Sequence, residues 1–222
     1  MPSENSSFCA IIPVRAGSKR VPNKNIRSFA DTNLLALKIR QLLSVEMLSA
    51  IYVSSDSDEM LSLADSIGCI ALKRPDEYSN DTVPMSEVYA YLASEVGEDV
   101  VVFTHVTNPL CRADAYSAAI NTYGTRAPEY DSLTTVSDVK DFLYWDGKTV
   151  NFDPKNKPRS QDLPDIVKLN HAISIAPKEL MIREKNIFGA NPYLMKLTDI
   201  QAFDIDTELD FEVAEFLFRR SN

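Results

Sequence analysis

Phe8-Cys9-Ala10-Ile11-Ile12-Pro13-Val14 and the thirteen residues after it, Arg15-Ala16-Gly17-Ser18-Lys19-Arg20-Val21-Pro22-Asn23-Lys24-Asn25-Ile26-Arg27, decide how this chain reads. The first run is apolar, the pattern of a buried strand. The second holds five basic side chains and no acidic one, in a chain whose formal net charge is −9. A cationic loop on an acidic protein is a site for something polyanionic; the plain alternative is a solvated basic loop. Strand, basic loop with Gly17 and Ser18, then helix is the usual layout for holding phosphates in an α/β protein.

Outward from that stretch, short apolar runs alternate with amphipathic ones. Ile51–Val53, Cys69–Leu72, Val100–Thr104 and Ser132–Val136 read as further strands, and Leu34–Leu43, Asp58–Ile67, Pro84–Ala93 and Ala113–Tyr123 as helices. That rhythm predicts a doubly wound, mostly parallel sheet with helices on both faces, in one domain spanning residues 1–222. Residues 137–175 break the rhythm with a turn signal at Trp145-Asp146-Gly147-Lys148 and a polar stretch through Pro158; they read as an arm or lid. Apolar Ala172–Ala176 follows, then a final helix from about Glu208, capped by Thr207 with Asp210 three residues on.

The acidic balance argues against nucleic acid or an anionic membrane as partner, since either wants an extended basic face. No apolar stretch is long enough to span a bilayer and the polar N-terminus lacks a signal-peptide core, so the expected location is cytoplasmic. Cys9, Cys69 and Cys111 are widely spaced and two histidines are too few for a histidine-rich metal site. Any metal would be oxygen-ligated.

The basic loop fits neither the Walker pattern nor the three-glycine dinucleotide fingerprint. It offers Arg15, Lys19 and Lys24 as charge-assisted donors to a triphosphate, backbone amides around Gly17-Ser18, and the neutral donor Asn25. A second constellation lies at Phe203-Asp204-Ile205-Asp206. In extended backbone, residues two apart face the same way, so Asp204 and Asp206 share a side while Ile205 turns into the core. Such a pair suits hydrated Mg²⁺, which takes one or two protein carboxylates plus substrate phosphates; an acidic helix cap is the plain alternative. Together the two constellations fit metal-assisted nucleotidyl transfer.

The stretch Ala10–Ile26 closely resembles the opening signature of the acylneuraminate (CMP-sialic acid synthetase) cytidylyltransferase family. Further resemblances follow in order: Val53–Ser57, Lys73-Arg74-Pro75 with Asp81, Thr107-Asn108-Pro109-Leu110, Pro158–Pro164 and Phe203–Phe211. The resemblance implies a Rossmann-like domain, a homodimer made by exchanging the arm, and transfer of CMP from CTP to a 2-keto sugar acid with Mg²⁺. It implies that Arg15, Ser18, Lys19 and Asn25 hold the CTP phosphates, that Arg74 contacts the nucleotide, and that Asp204 and Asp206 bind the metal. Arg15, Lys19 and Asp206 would be the catalytic residues. Arg159 falls where an arginine helps hold the acceptor, and Lys140 is the loosest match to an acceptor lysine.

Departures from the family pattern concentrate on the acceptor side. His105 stands where the family has an acceptor-binding glutamine; it can still donate a hydrogen bond and, if protonated, pair with a carboxylate. The family's Asn-Gly-Ala-Ile-Tyr reads Asn170-His171-Ala172-Ile173-Ser174, so a glycine that permits unusual dihedrals has become His171 and a pocket tyrosine has become Ser174. Phe188 is the candidate to replace part of that aromatic wall. The resemblance thus implies CTP plus an anionic sugar-acid acceptor, a sialic-acid-like nonulosonic acid first. Alternatives are an octulosonic acid, a phosphonate or a phosphorylated metabolite, then a non-catalytic nucleotide-binding protein or a glycosyltransferase.

Overall fold

The computed structural model describes residues 6–18, 20–80 and 82–221. Seven strands form one sheet: β1 (Phe8–Pro13), β2 (Leu48–Ser55), β3 (Ile70–Lys73), β4 (Val100–Phe103), β5 (Ser132–Val139), β6 (Ile166–Pro177) and β7 (Pro192–Lys196). Their spatial order is β7-β5-β6-β4-β1-β2-β3. Every neighbouring pair is parallel except the two that β6 makes, with β4 and with β5. The expected Rossmann-like, mostly parallel sheet is what the chain forms.

Side chains alternate across each strand, so a strand buried on both faces must be apolar throughout. In β1, Ala10 and Ile12 enter one core layer and Cys9 and Ile11 the other; in β4, Val100 and Val102 oppose Val101 and Phe103. The first layer is covered by α1 (Leu34–Leu43), α2 (Asp58–Ile67), α4 (Ala113–Arg126) and α6 (Glu208–Arg220). The second is covered by α3 (Met85–Ser94) and α5 (Lys178–Glu184). The capping box of α6 is present: the Thr207 hydroxyl accepts from the Asp210 amide at 3.2 Å and the Asp210 carboxylate accepts from the Thr207 amide at 2.7 Å. All three cysteines are buried and free. Among the described residues, no helix is long and apolar enough to cross a membrane.

Two features depart from the expected layout. The basic loop does not run directly into a helix: turns and a small ribbon of Ser28–Phe29 against Thr32–Asn33 intervene before α1. Asn33 then caps α1 with its own side chain, accepting from Ala36 N at 2.8 Å. Anions at the loop must therefore be held by its side chains and amides, not by the α1 terminus. The break in rhythm is also narrower than 137–175, because β5 runs on to Val139 and β6 begins at Ile166. The stretch outside the sheet is 140–165, carrying a small hairpin of Tyr144–Trp145 and Lys148–Thr149.

Beneath the loop that follows β4 lies a fully buried cation. Lys38 on α1 donates to Asn108 O at 2.9 Å and to the Tyr116 hydroxyl at 2.7 Å. Burial lowers its pKa from 10.5 to about 8. Between those values the unfolded chain binds the extra proton, so folding stability contributed at this site rises as pH climbs from about 8 to 10.5. Urea unfolding of the protein and of Lys38→Met across that range should show the unsubstituted protein gaining on the variant, by at most about 1.4 kcal/mol per pH unit. Parallel pH profiles would place the proton elsewhere.

Candidate functional site

The crossover from β1 through α1 to β2 lies on one sheet face, and that from β3 through α3 to β4 on the other, so the chain's winding reverses between β1 and β4. Ligands in open α/β sheets bind at such a switch point, beyond the carboxyl ends of the strands. A cleft of about 380 Å³ opens there, lined by Arg15, Ser18, Lys24 and Asn25 from the loop after β1 and by His105 and Thr107 from the loop after β4. Gly17 takes φ +74° in this loop, a backbone region that favours glycine. Asp56 pins the loop by accepting from Ala16 N at 2.9 Å, and buried Asn25 donates to Arg15 O at 3.0 Å. Lys19 lies outside the described residues.

A second cleft, of about 630 Å³, abuts the first and is lined by Asp204, Asp206, His171 and Lys168 among others. The two are stitched together by Lys24, whose ammonium donates to Ile205 O at 2.8 Å. The 203–206 segment lies in neither a helix nor a strand. Ile205 is fully buried and its N–H donates to Thr107 O at 2.9 Å, which turns Asp204 and Asp206 outward. Asn108 supports the same segment from below, donating to Phe203 O at 3.3 Å. Asp206 also pairs with Arg20 at 2.8 Å, both side chains largely exposed.

Electrostatics tie these groups. Burial lowers the Lys24 pKa, and Asp204 and Asp206 oppose the fall. Asp204 keeps open surface, yet loss of water around it raises its carboxyl pKa; the Thr107 hydroxyl and Lys24 work against that rise, and Asp206 adds to it. Each partner is pushed toward neutrality by crowding and held charged by the other. Among the described residues no group of three or more His, Cys, Asp or Glu gathers into an all-protein cage. Two hard oxygen donors beside a cationic loop fit Mg²⁺, an ion that keeps waters and takes up substrate phosphates.

The remaining predicted residues fall in different places. His105 stacks edge-on against Phe103, with ring centroids 5.4 Å apart, and burial followed by the nearby His171 lowers its pKa to about 4. It is therefore neutral near pH 7 and meets a ligand as a neutral donor or acceptor, not as the cation considered from sequence. Arg74 is 5% exposed and points inward, donating to Val14 O and Ser54 O at 3.0 and 2.7 Å. Lys140 pairs with Asp165 and Arg159 with Asp162, all on the 140–165 excursion or its edge, and neither lines the clefts. Phe188 packs with the α3–α5 layer and lines neither cleft. Ser174 is buried with its hydroxyl 3.0 Å from that of Thr134. Lys168 carries no sequence signal as a site residue; it is brought to the second cleft by the course of β6, which leaves no local pattern.

Comparison with known proteins agrees with this arrangement. The profile of the cytidylyltransferase family matches residues 9–220. The chain is 29% identical to the post-translational flagellin modification protein B of Campylobacter coli, covering 98% of this chain and 97% of that one. It is 28% identical to the CMP-N,N'-diacetyllegionaminic acid synthase of Campylobacter jejuni, covering 97% and 96%. Among solved structures, a CMP:2-keto-3-deoxy-manno-octonic acid synthetase complexed with CTP shares the fold, with a TM-score of 0.73 at 14% identity over 98% of this chain and 100% of that one. With the match running from β1 to the end of α6, the chain belongs to the cytidylyltransferase family.

Proposed function

We propose that this protein transfers CMP from CTP to the anomeric hydroxyl of a sialic-acid-like nonulosonic acid and releases pyrophosphate. The observation that carries the reading is the Lys24–Ile205 hydrogen bond, which places the cationic loop and the Asp204/Asp206 pair at one switch point. The acceptor class is supported by the legionaminic acid synthase relative.

In this reading Arg15, Ser18 and Lys24, with Lys19, grip the CTP phosphates, while Asn25 holds the loop's shape through Arg15 O. The acceptor enters the second cleft, and its hydroxyl attacks the α-phosphorus in line. The chain's task is positioning and charge neutralisation, since phosphoryl-type transfer asks for little covalent help. Asp204 and Asp206 would hold Mg²⁺, which supplies charge neutralisation at the phosphates. Neutral His105 offers the acceptor a hydrogen bond. Arg159 and Lys140 contribute if the 140–165 excursion reaches the site of a second copy. Exposed Tyr144, Trp145 and Val150 on that excursion support a homodimer joined there.

The test is pyrophosphate release with each nucleoside triphosphate, Mg²⁺ and an acceptor panel of N-acetylneuraminic acid, N,N'-diacetyllegionaminic acid, an octulosonic acid and a phosphonate. CTP with a nonulosonic acid should be the productive pair. Turnover only with a non-sugar acceptor would overturn the acceptor assignment; tight CTP binding with no turnover would overturn the catalytic one.

A further inference from the structure

The backbone of β6 is interrupted where it crosses the second cleft. Its pairing with β5 slips between Leu169 and Ser174, and His171 inside that bulge takes φ +54°. A left-handed residue other than glycine carries strain, and persists only where its surroundings over-determine it. Here they do. The Thr135 hydroxyl donates to Asn170 Oδ1 at 2.6 Å, and that oxygen also accepts from Ala172 N at 3.2 Å. The amide of Asn170 donates to the Ser137 hydroxyl at 3.0 Å, and Thr104, just beyond β4, donates to Ala172 O at 2.8 Å. Asn170 and its partners are buried, whereas His171 is exposed and lines the cleft beside Asp204 and Asp206. A rigid bulge held by a buried polar network thus uses backbone strain to present one imidazole to the cleft.

The cleft wall is rich in carboxylates: Asp138, Asp199, Asp204, Asp206 and Asp210. An anionic acceptor entering it needs a donor close to the reacting end. His171 is that donor, since the bulge holds its exposed ring in the cleft wall shared with Asp204 and Asp206. In a 2-keto sugar acid the carboxylate hangs from the same carbon as the attacking hydroxyl, so whatever grips the carboxylate also aims the nucleophile.

Resting on the cytidylyl-transfer reading above, we propose that His171 is the specificity-determining residue that hydrogen-bonds the carboxylate of the acceptor.

His171→Gly removes the donor and relieves the strain, so affinity and stability should move apart. With CTP, Mg²⁺ and whichever of N-acetylneuraminic acid or N,N'-diacetyllegionaminic acid is turned over, KM for the acceptor should rise about 10- to 100-fold. KM for CTP should stay within about twofold, and Tm should hold or rise by about 2–4 °C. His171→Asn, which keeps a donor and tolerates the left-handed backbone, should recover much of the acceptor KM. The acceptor's carboxamide should be a poor substrate for the unsubstituted protein and lose nothing more in the glycine variant. An unchanged acceptor KM in the glycine variant, or equal losses for acid and amide, would overturn the assignment while pyrophosphate release with CTP still stood. No release from the unsubstituted protein would remove the underlying reading and this assignment with it.

Discussion

Alanine at position 206 should lower the rate of CTP-dependent pyrophosphate release by at least about 100-fold and leave the fold in place. The first half follows from what the carboxylate would do beside the transferring phosphate: removing one preorganised charge-stabilising group from such a site typically costs 10²–10³ in rate, and here it would also halve the Mg²⁺ donor set. The second half follows from how the segment is held. Asp206 contributes its backbone N–H to Asp210 Oδ2 at 3.1 Å, a bond the substitution keeps. Ile205 stays anchored by Thr107 and Lys24. The ion pair with Arg20 disappears, but it joins two exposed groups and adds little to stability. Steady-state kinetics in CTP with Mg²⁺, paired with thermal melting, checks both halves. An Asp206→Ala protein that melts normally and turns over at the full rate would take Asp206 out of the site.

Methionine at position 74 should destabilise the protein by about 2–4 kcal/mol. The guanidinium of Arg74 is nearly sealed off, and its donors go to Val14 O, Ser54 O and, at 3.2 Å, the Ser54 hydroxyl. These atoms sit just beyond β1 and near the end of β2, so one side chain ties together the two strands behind the basic loop. Burial lowers the pKa of Arg74, with Asp56 opposing, but an arginine remains charged at any working pH. Losing it strands the Val14 carbonyl and the Ser54 hydroxyl in a buried place and leaves Ser54 O with the Val14 N–H at 2.9 Å. Urea unfolding distinguishes the two roles open to this residue. A tie shows a large fall in unfolding midpoint, with KM for CTP rising because the loop loses its base. A residue that only contacts nucleotide shows the KM effect with the midpoint unmoved.

Much of this architecture is legible in the sequence because burial on both faces leaves a plain signature. The apolar runs of β1 and β4 and the amphipathic spans of α1 and α2 match their elements closely. What escapes such reading is short or unpatterned. Helix α5 has seven residues, and β7 lies at the sheet edge with no clean alternation. The site divides in the same way. The basic loop and the Asp204/Asp206 pair announce themselves by composition, but the Lys24–Ile205 bond joins residues 181 positions apart and leaves no trace in either neighbourhood. An arginine in a matching motif could face out or in, and only packing shows that Arg74 faces in. Position along the chain suggests Phe188 for the acceptor pocket, whereas the turn after α5 carries it to the opposite layer.

The single antiparallel strand has a consequence for how such a protein can change its substrate. Because β6 runs against its neighbours, its beginning, not its end, arrives at the reactive edge, fed by the 140–165 excursion. In the proposed reading the nucleotide half is built from chain leaving β1 and β4, whereas part of the acceptor half is built from chain entering β6. On that reading, exchanges at the start of β6, from Lys168 to His171, recut the second cleft while the loop after β1 keeps its own foundations. The fold is in this sense modular at one seam, and the entry of β6 is the place where a new acceptor would be accommodated.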